Sequence, residues 1–269
     1  MKIDPSKIYL MPLIGGPIAE RREDLRPHLG EAEFLSLEYQ TDFDALQPLI
    51  PDCFQLAKKP TVTVWFAYYN RVDFMANRGY NEVAVQAAAR FDGEKDHVEG
   101  EYVLVMFLND TIPIIRGREQ VGWPKMYADI PTAEAQPNGH ILCKASLWDQ
   151  LLIGMDLAPL KKQNAIVRFA ASKIANSGHF LYLKYIPSLD GPPDANYPNI
   201  LPMSGTKIDE LWQGKSGEIF FGDPSKADLP KQIVKLLEVL NTLPVRQVTQ
   251  TLRYRGSVFI RDDLCHRLR

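Results

Sequence analysis

The chain has 269 residues, 45% of them apolar and 24% charged, with a formal net charge of −2. That is the balance of an ordinary soluble globular protein, long enough to bury a large core as one big domain or two modest ones. The near-neutral charge argues against a nucleic-acid or anionic-membrane partner, and the basic pairs Arg21-Arg22 and Lys161-Lys162 are isolated and read as solvated faces.

Cys53, Cys143 and Cys265 are odd in number, widely spaced and without CxxC pairing, the usage of a reducing compartment rather than of a disulfide framework. The N-terminus, Met1-Lys2-Ile3-Asp4-Pro5, has no charged-then-apolar signal pattern. Uncharged apolar runs fall short of the ~20 residues of a membrane helix. A cytoplasmic location and no membrane partner are expected.

Residues 1–30 are rich in Pro, Gly and charge and predict an extended N-terminal arm. Alternation over Phe34-Leu35-Ser36-Leu37-Glu38-Tyr39 predicts a strand, followed by a short helix capped by Thr41 or Asp42 and stopped at Pro51. Residues 61–69, 83–91 and 101–108 are further strands by β-branched and aromatic content, and Ile112 to Ile115 reads as another buried strand. Strands are also expected at 141–148, 166–171, 180–185, 206–213 and 217–222, with one or two more over 245–261. The proline-dense stretch 187–202 reads as an irregular crossing loop. The one clear amphipathic helix is 229–240, with Ile233, Leu236, Leu237 and Leu240 on one face and Pro230 in its first turn. Many strands, few helices and no βαβ rhythm predict an α+β fold of mainly antiparallel sheet, a closed barrel or cone, in a single domain spanning 1–269.

Two places carry chemistry. Gly117-Arg118-Glu119-Gln120-Val121-Gly122-Trp123-Pro124-Lys125 delivers one lysine, out of apolar surroundings, onto a glycine/proline turn beside a tryptophan. An amine is nucleophilic only when neutral, and burial beside apolar groups lowers its pKa. Taken alone, the segment reads more simply as a surface turn, because most lysines are solvated. Glu82, in Tyr80-Asn81-Glu82, stands directly before the apolar run Val83-Ala84-Val85. A carboxylate at the mouth of a buried strand has a raised pKa and can move protons near neutrality, although a solvated strand-end glutamate is the plainer reading in isolation. The five histidines are scattered, and His140 with Cys143 is too few ligands for a metal site. No G-x-S-x-G elbow or phosphate loop is present, so neither a metal nor any other cofactor is indicated.

Together these segments resemble the acetoacetate decarboxylase family. Tyr39-Gln40-Thr41-Asp42-Phe43-Asp44-Ala45-Leu46 with Pro51, Tyr80-x-Glu82, Gly117-Arg118-Glu119 with Pro124-Lys125, Ile186-Pro187-x-x-Asp190-Gly191-x-Pro193 and Leu243-Pro244-Val245 follow the family's motifs in order along nearly the whole chain. The resemblance implies a cone-shaped antiparallel β fold, a buried pocket, a homo-oligomer, Lys125 as Schiff-base nucleophile and Glu82 as proton shuttle. Acetoacetate decarboxylase is the familiar example of an activated lysine, so this mechanism is taken over with the resemblance.

Two positions depart from the decarboxylases. The second lysine that follows their reactive one is Met126 here, and the arginine they place near the substrate carboxylate is matched by Ala32. Family members with the lysine and Tyr-x-Glu kept but that arginine changed run aldol condensation and dehydration on pyruvate. The resemblance therefore implies a lyase acting on a small keto acid, with pyruvate and an aldehyde co-substrate favoured over decarboxylation of acetoacetate. In that scheme Tyr80 and Gln120 donate hydrogen bonds to substrate oxygens, and Tyr254 is a further substrate-binding candidate. A non-catalytic small-ligand binder on the same fold is the reading from outside enzymology.

Overall fold

Alternation with a period of two residues builds the centre of the molecule. A computed structural model of the chain describes residues 2–21 and 24–269; Arg22, one half of a basic pair, lies outside them. After an N-terminal arm with a single bridge between Ile8 and Ala19, strand β1 (His28–Gln40) leads into the one-turn helix α1 (Phe43–Leu46). Then come β2 (Gln55–Leu56), β3 (Thr61–Val72), β4 (Arg78–Asp92) and β5 (His97–Leu108). Helix α2 (Thr111–Arg116) runs straight into a π-helical turn, Gly117–Val121, and on to the short strand β6 (Lys125–Tyr127). The next elements are β7 (Glu134–Ala135), β8 (Ile141–Leu147), β9 (Gln150–Leu157), β10 (Lys161–Lys162) and helix α3 (Ala165–Ala175). The chain continues through β11 (His179–Ile186), β12 (Ala195–Pro202), β13 (Thr206–Gly214), β14 (Gly217–Phe221), helix α4 (Lys231–Leu240), β15 (Gln247–Phe259) and β16 (His266–Arg267).

The main sheet has 12 strands along the path β10-β13-β15-β1-β3-β4-β5-β11-β12-β16, with β2 beside β4 and β6 beside β5. Its pairings are antiparallel except where β6 and β11 run parallel to β5. The expected α+β architecture dominated by antiparallel strands is observed, but the sheet follows an open path instead of closing as a barrel. A second sheet, β14-β9-β8-β7, packs against one face of the first.

That face carries Leu35, Leu37 and Tyr39 of β1, Val62, Val64, Phe66 and Tyr68 of β3, and Val83, Val85 and Ala87 of β4. They are buried against β8, β9 and the apolar side of α4, where Ile233, Leu237 and Leu240 fall. The intervening residues point the other way: Phe34, Trp65, Ala67, Tyr69, Tyr80 and Ala84 form a second, smaller cluster. A one-residue slip would exchange the two sets, so burial on this scale sets the register firmly.

Three predicted elements differ. Residues 166–171 belong to helix α3, where the Asn164 side chain accepts from the Ile166 and Val167 amides, both at 3.0 Å. Val167, Ala171 and Ala175, spaced by four, pack against β13 and β15, a helical period hidden by the β-branched content. Residues 112–115 are likewise helical, because Asp110 caps α2 by accepting from the Ile112 amide at 2.8 Å. The proline-dense loop ends early: 195–202 form β12, paired along its length with β11. Its prolines are tolerated close to the sheet edge, where β16 meets only Asn199 and Ile200.

Leu37, fully buried between the sheets, is the direct test of this arrangement. Leu37→Ala is expected to lose about 2–5 kcal/mol. Urea unfolding should show a lower midpoint with an unchanged slope.

Candidate active site

The second face of the main sheet is the floor of a cavity of about 370 Å3. The ladder sets one row of residues across it: Tyr254 of β15 opposite Phe34 of β1, Phe34 opposite Ala67 of β3, and Ala67 opposite Glu82 of β4. Ala67 leaves room above the sheet between Phe34 and Glu82. Tyr80, Glu82 and Gln86 share one parity on β4 and all reach the wall, while their neighbours Val83 and Val85 enter the opposite core.

Lys125 arrives from the far side of β5. Strand β6 pairs in parallel with β5, Lys125 opposite Met106, and the Met106 amide donates to the Pro124 carbonyl at 3.0 Å. The turn before it explains the motif. The π-turn closes when the amides of Gly122 and Trp123 both reach the Gly117 carbonyl, at 2.8 and 3.1 Å, and Gly122 takes φ = 95°. Such π-turns are rare and concentrate at functional sites. At Gly117 a Cβ would stand 2.7 Å from Cδ of Lys125 and 3.2 Å from its Nζ, so only glycine lets the lysine lie across the turn. Arg118 donates from Nη1 to the Lys125 carbonyl at 3.0 Å, fixing the strand from behind.

The amine is held among apolar and aromatic groups. Its Nζ is 5.9 Å from the centroid of the Trp123 ring and makes a long contact of 3.5 Å to the Pro113 carbonyl. The nearest carboxylate oxygen, Oε2 of Glu82, is 3.8 Å away, too far for a hydrogen bond. Both residues are almost fully buried, Lys125 at 8% exposure and Glu82 at 5%. Burial is the largest influence on each. It lowers the Lys125 pKa from its ordinary value, with Arg116 acting in the same sense and Glu82 and Asp262 opposing. It raises that of Glu82, against the pull of Lys125 and of the Tyr69 phenol. Desolvation thus drives the pair toward neutral amine and neutral acid.

Lys125, Glu82, Tyr80 and Tyr254 all line the cavity. Tyr254 lies three strands from Glu82, roughly 14 Å at ordinary strand spacing, and stacks on Phe34 at 5.0 Å between ring centroids. Gln120 is not on the wall; its amide is buried with no hydrogen-bond partner among the described residues. Ala32 is buried beside Tyr69, its cross-strand partner, and brings no charge to the floor.

Several wall residues escape a reading of the sequence. Tyr69 faces Glu82 from β3, and its ring centroid is 5.1 Å from that of Tyr80. Arg116, the last residue of α2, forms a buried ion pair with Asp262 from Nη2 to Oδ2 at 2.9 Å. Asp262 sits 146 positions away in the chain, so no local pattern couples the two. Arg116 directly precedes the Gly117 motif, and that adjacency was the one available signal.

Gly117→Ala is expected to leave the melting temperature nearly unchanged, because the lysine chain is flexible and can move aside. The amine then leaves its apolar seat. Acetylation of Lys125 by a small aryl ester, followed by peptide mass at several pH values, should titrate below the ordinary lysine value of 10.5 in the parent protein and nearer to it in the variant.

A family model described as Acetoacetate decarboxylase (ADC) matches residues 10–259. Acetoacetate decarboxylase 1 of Bradyrhizobium diazoefficiens is 25% identical over 236 residues, covering 85% of this chain and 82% of that protein. A solved acetoacetate decarboxylase superposes with a TM-score of 0.77 at 20% identity, over 100% of this chain and 98% of that one. The enduracididine biosynthesis enzyme MppR, solved with pyruvate, gives 0.70 at 13% identity over 99% of each chain. MppR has also been solved with the condensation product of pyruvate and imidazole 4-carboxaldehyde. The structural likenesses show the shared fold, and the match over residues 10–259 shows that the chain belongs to the acetoacetate decarboxylase family, a family of lyases.

Proposed function

We propose that this enzyme forms a Schiff base between Lys125 and a small keto acid, and that it uses the iminium for aldol condensation of pyruvate with an aldehyde, followed by dehydration. The observation that carries the reading is the buried amine 3.8 Å from a buried carboxyl group, each pushed toward its neutral form.

The chemistry closes on those two groups. The neutral amine adds to the ketone carbon, and the Glu82 acid protonates the departing oxygen, leaving an iminium, water and a carboxylate. That carboxylate removes a proton from the adjacent methyl carbon. The C–H electrons move into the iminium, giving a neutral enamine and restoring the acid. The enamine carbon attacks the aldehyde, whose oxygen takes the proton from Glu82. The Glu82 carboxylate then removes the second proton from the same carbon, and the enamine so formed expels the hydroxyl as water with the proton of the Glu82 acid. Hydrolysis of the resulting iminium frees an unsaturated keto acid and returns the neutral amine, its extra proton passing back to Glu82. Every proton and electron pair comes from Lys125, Glu82, the substrates and water, so the cycle calls for no cofactor. In this scheme the Tyr80 phenol, which lines the cavity with Glu82, donates to a substrate oxygen; no step is assigned to Gln120.

Two observations favour condensation. The cavity has room for a second substrate beside a three-carbon acid, and MppR, of the same fold, is solved with a condensation product. Decarboxylation of acetoacetate is the second reading. It uses the same iminium as an electron sink for the C–CO2 bond and is supported by the name of the Bradyrhizobium relative. A non-catalytic binder would have no use for a desolvated amine.

Borohydride reduction in the presence of pyruvate or acetoacetate, read by peptide mass, separates these readings. A reduced pyruvate adduct on the Lys125 peptide, with enone absorbance appearing once an aldehyde is added, is the expected result. An adduct with acetoacetate alone would move the assignment to decarboxylation, and no adduct with either would remove Lys125 from the chemistry. Adduct formation should accelerate as pH rises through the lowered amine pKa, since only the neutral form attacks. Glu82→Gln is expected to slow turnover by about 100-fold or more, and Lys125→Ala to abolish it while a mere binder would keep its ligand.

A further inference from the structure

The wall that holds Lys125 contains, among the described residues, two other cations, Arg116 and Arg261. Arg261 is already engaged: its Nε and Nη2 both donate at 2.8 Å to the two oxygens of Asp263, closing the fork. Arg116 is held differently. One Nη2–H donates to Asp262 at 2.9 Å, and the guanidinium carbon sits 4.6 Å from the centroid of the Phe74 ring. A guanidinium carries five N–H donors, and its second edge suits a carboxylate.

The position of this group matters as much as its capacity. Arg116 ends α2 and is followed at once by Gly117, on which the Lys125 chain rests. The side chains of Arg116 and Asp262 are only 14% and 6% exposed. A buried ion pair is poor value for stability, because desolvation cancels most of the attraction and apolar packing would serve as well. Here it lies on the wall of a cavity that is otherwise mostly aromatic and aliphatic. The β1 position that the decarboxylases give to an arginine is Ala32, so among the described residues the strands of the sheet bring no cation to the cavity besides Lys125.

We propose that Arg116 is the seat of the substrate carboxylate, and that Asp262 and Phe74 hold its guanidinium in the orientation that receives it. The keto carbon of the bound acid then faces Lys125 from the same wall. The charges of the reactants balance as the reaction starts: the substrate brings one negative charge and the iminium adds one positive charge. This proposal deepens the Schiff-base reading and rests on it. It makes the enzyme selective for keto acids over neutral ketones through α2, and makes Arg116 a specificity-determining residue.

The test compares reductive trapping of pyruvate with that of its neutral methyl ester, in the parent protein, in Arg116→Gln and in Arg116→Gln with Asp262→Asn. The double variant removes both charges, so it covers the case in which a lone buried carboxylate prevents folding. The half-saturating concentration of pyruvate is expected to rise by about 10- to 100-fold in the variants, the loss of one charged hydrogen-bonded contact. That of methyl pyruvate should stay as in the parent in the double variant, where the opposing influences of Arg116 and Asp262 on the Lys125 amine are removed together. Unchanged pyruvate trapping would overturn the proposal. Equal losses for acid and ester would overturn it too, by showing that Arg116 serves the fold or the amine and not the carboxylate. A parent protein that traps neither compound would instead bring down the Lys125 reading, and this one with it.

Discussion

The site depends on keeping water away from one amine. A lysine nitrogen is strongly hydrated in water, and burial strips most of that hydration: among the described residues its polar contacts are a ring face, a distant carbonyl and a carboxyl group beyond hydrogen-bond reach. The same desolvation that lowers the Lys125 pKa raises that of Glu82. One physical effect therefore pushes both groups toward their neutral forms. Desolvation acts on Lys125 without a second lysine beside it, the next position being Met126. Met126 packs against the opposite core.

Burying a polar pair in this way is destabilising, and the surrounding structure offsets the cost. The main sheet is continuous beneath the site, its opposite face is filled by a large apolar core, and the lysine strand is locked in parallel register to β5. The local irregularities gather on the segment that aims the lysine. They are the π-turn, the left-handed Gly122 and the close approach of Lys125 to Gly117. Strands hold the wall while an atypical turn delivers Lys125.

The cavity has two characters. Near Lys125 it holds Glu82, Tyr80, Arg116 and Asp262, a cluster in which each charge is felt by the others. Away from it the wall becomes aromatic and aliphatic, with Phe34, Tyr254, Ile174 and Phe259. Helix α3 contributes Ala171, Ile174 and Ala175 to that wall. A small polar acid at one end and a larger apolar group at the other is the occupancy this gradient suits.

Much of this was legible in the chain. Alternation in Phe34 to Tyr39 assigns residues to faces because successive side chains in a strand point to opposite sides, and β-branched and aromatic content marks 83–91 as a strand. The amphipathic period of 229–240 identifies α4 for the same kind of reason. Gly117 to Lys125 marks the lysine because glycine and proline needs are local. Residues 112–115 and 166–171 have the β-branched content of strands but lie in helices α2 and α3, since such short runs carry no period strong enough to outweigh a capping side chain. What only the tertiary structure decided is which distant residues share the cavity. Asp262 meets Arg116, Tyr69 meets Glu82, and Tyr254 ends three strands from the site while Gln120 falls outside its wall. Those meetings follow from strand order and sheet path, which depend on burial summed over the whole chain. No local pattern contains that information.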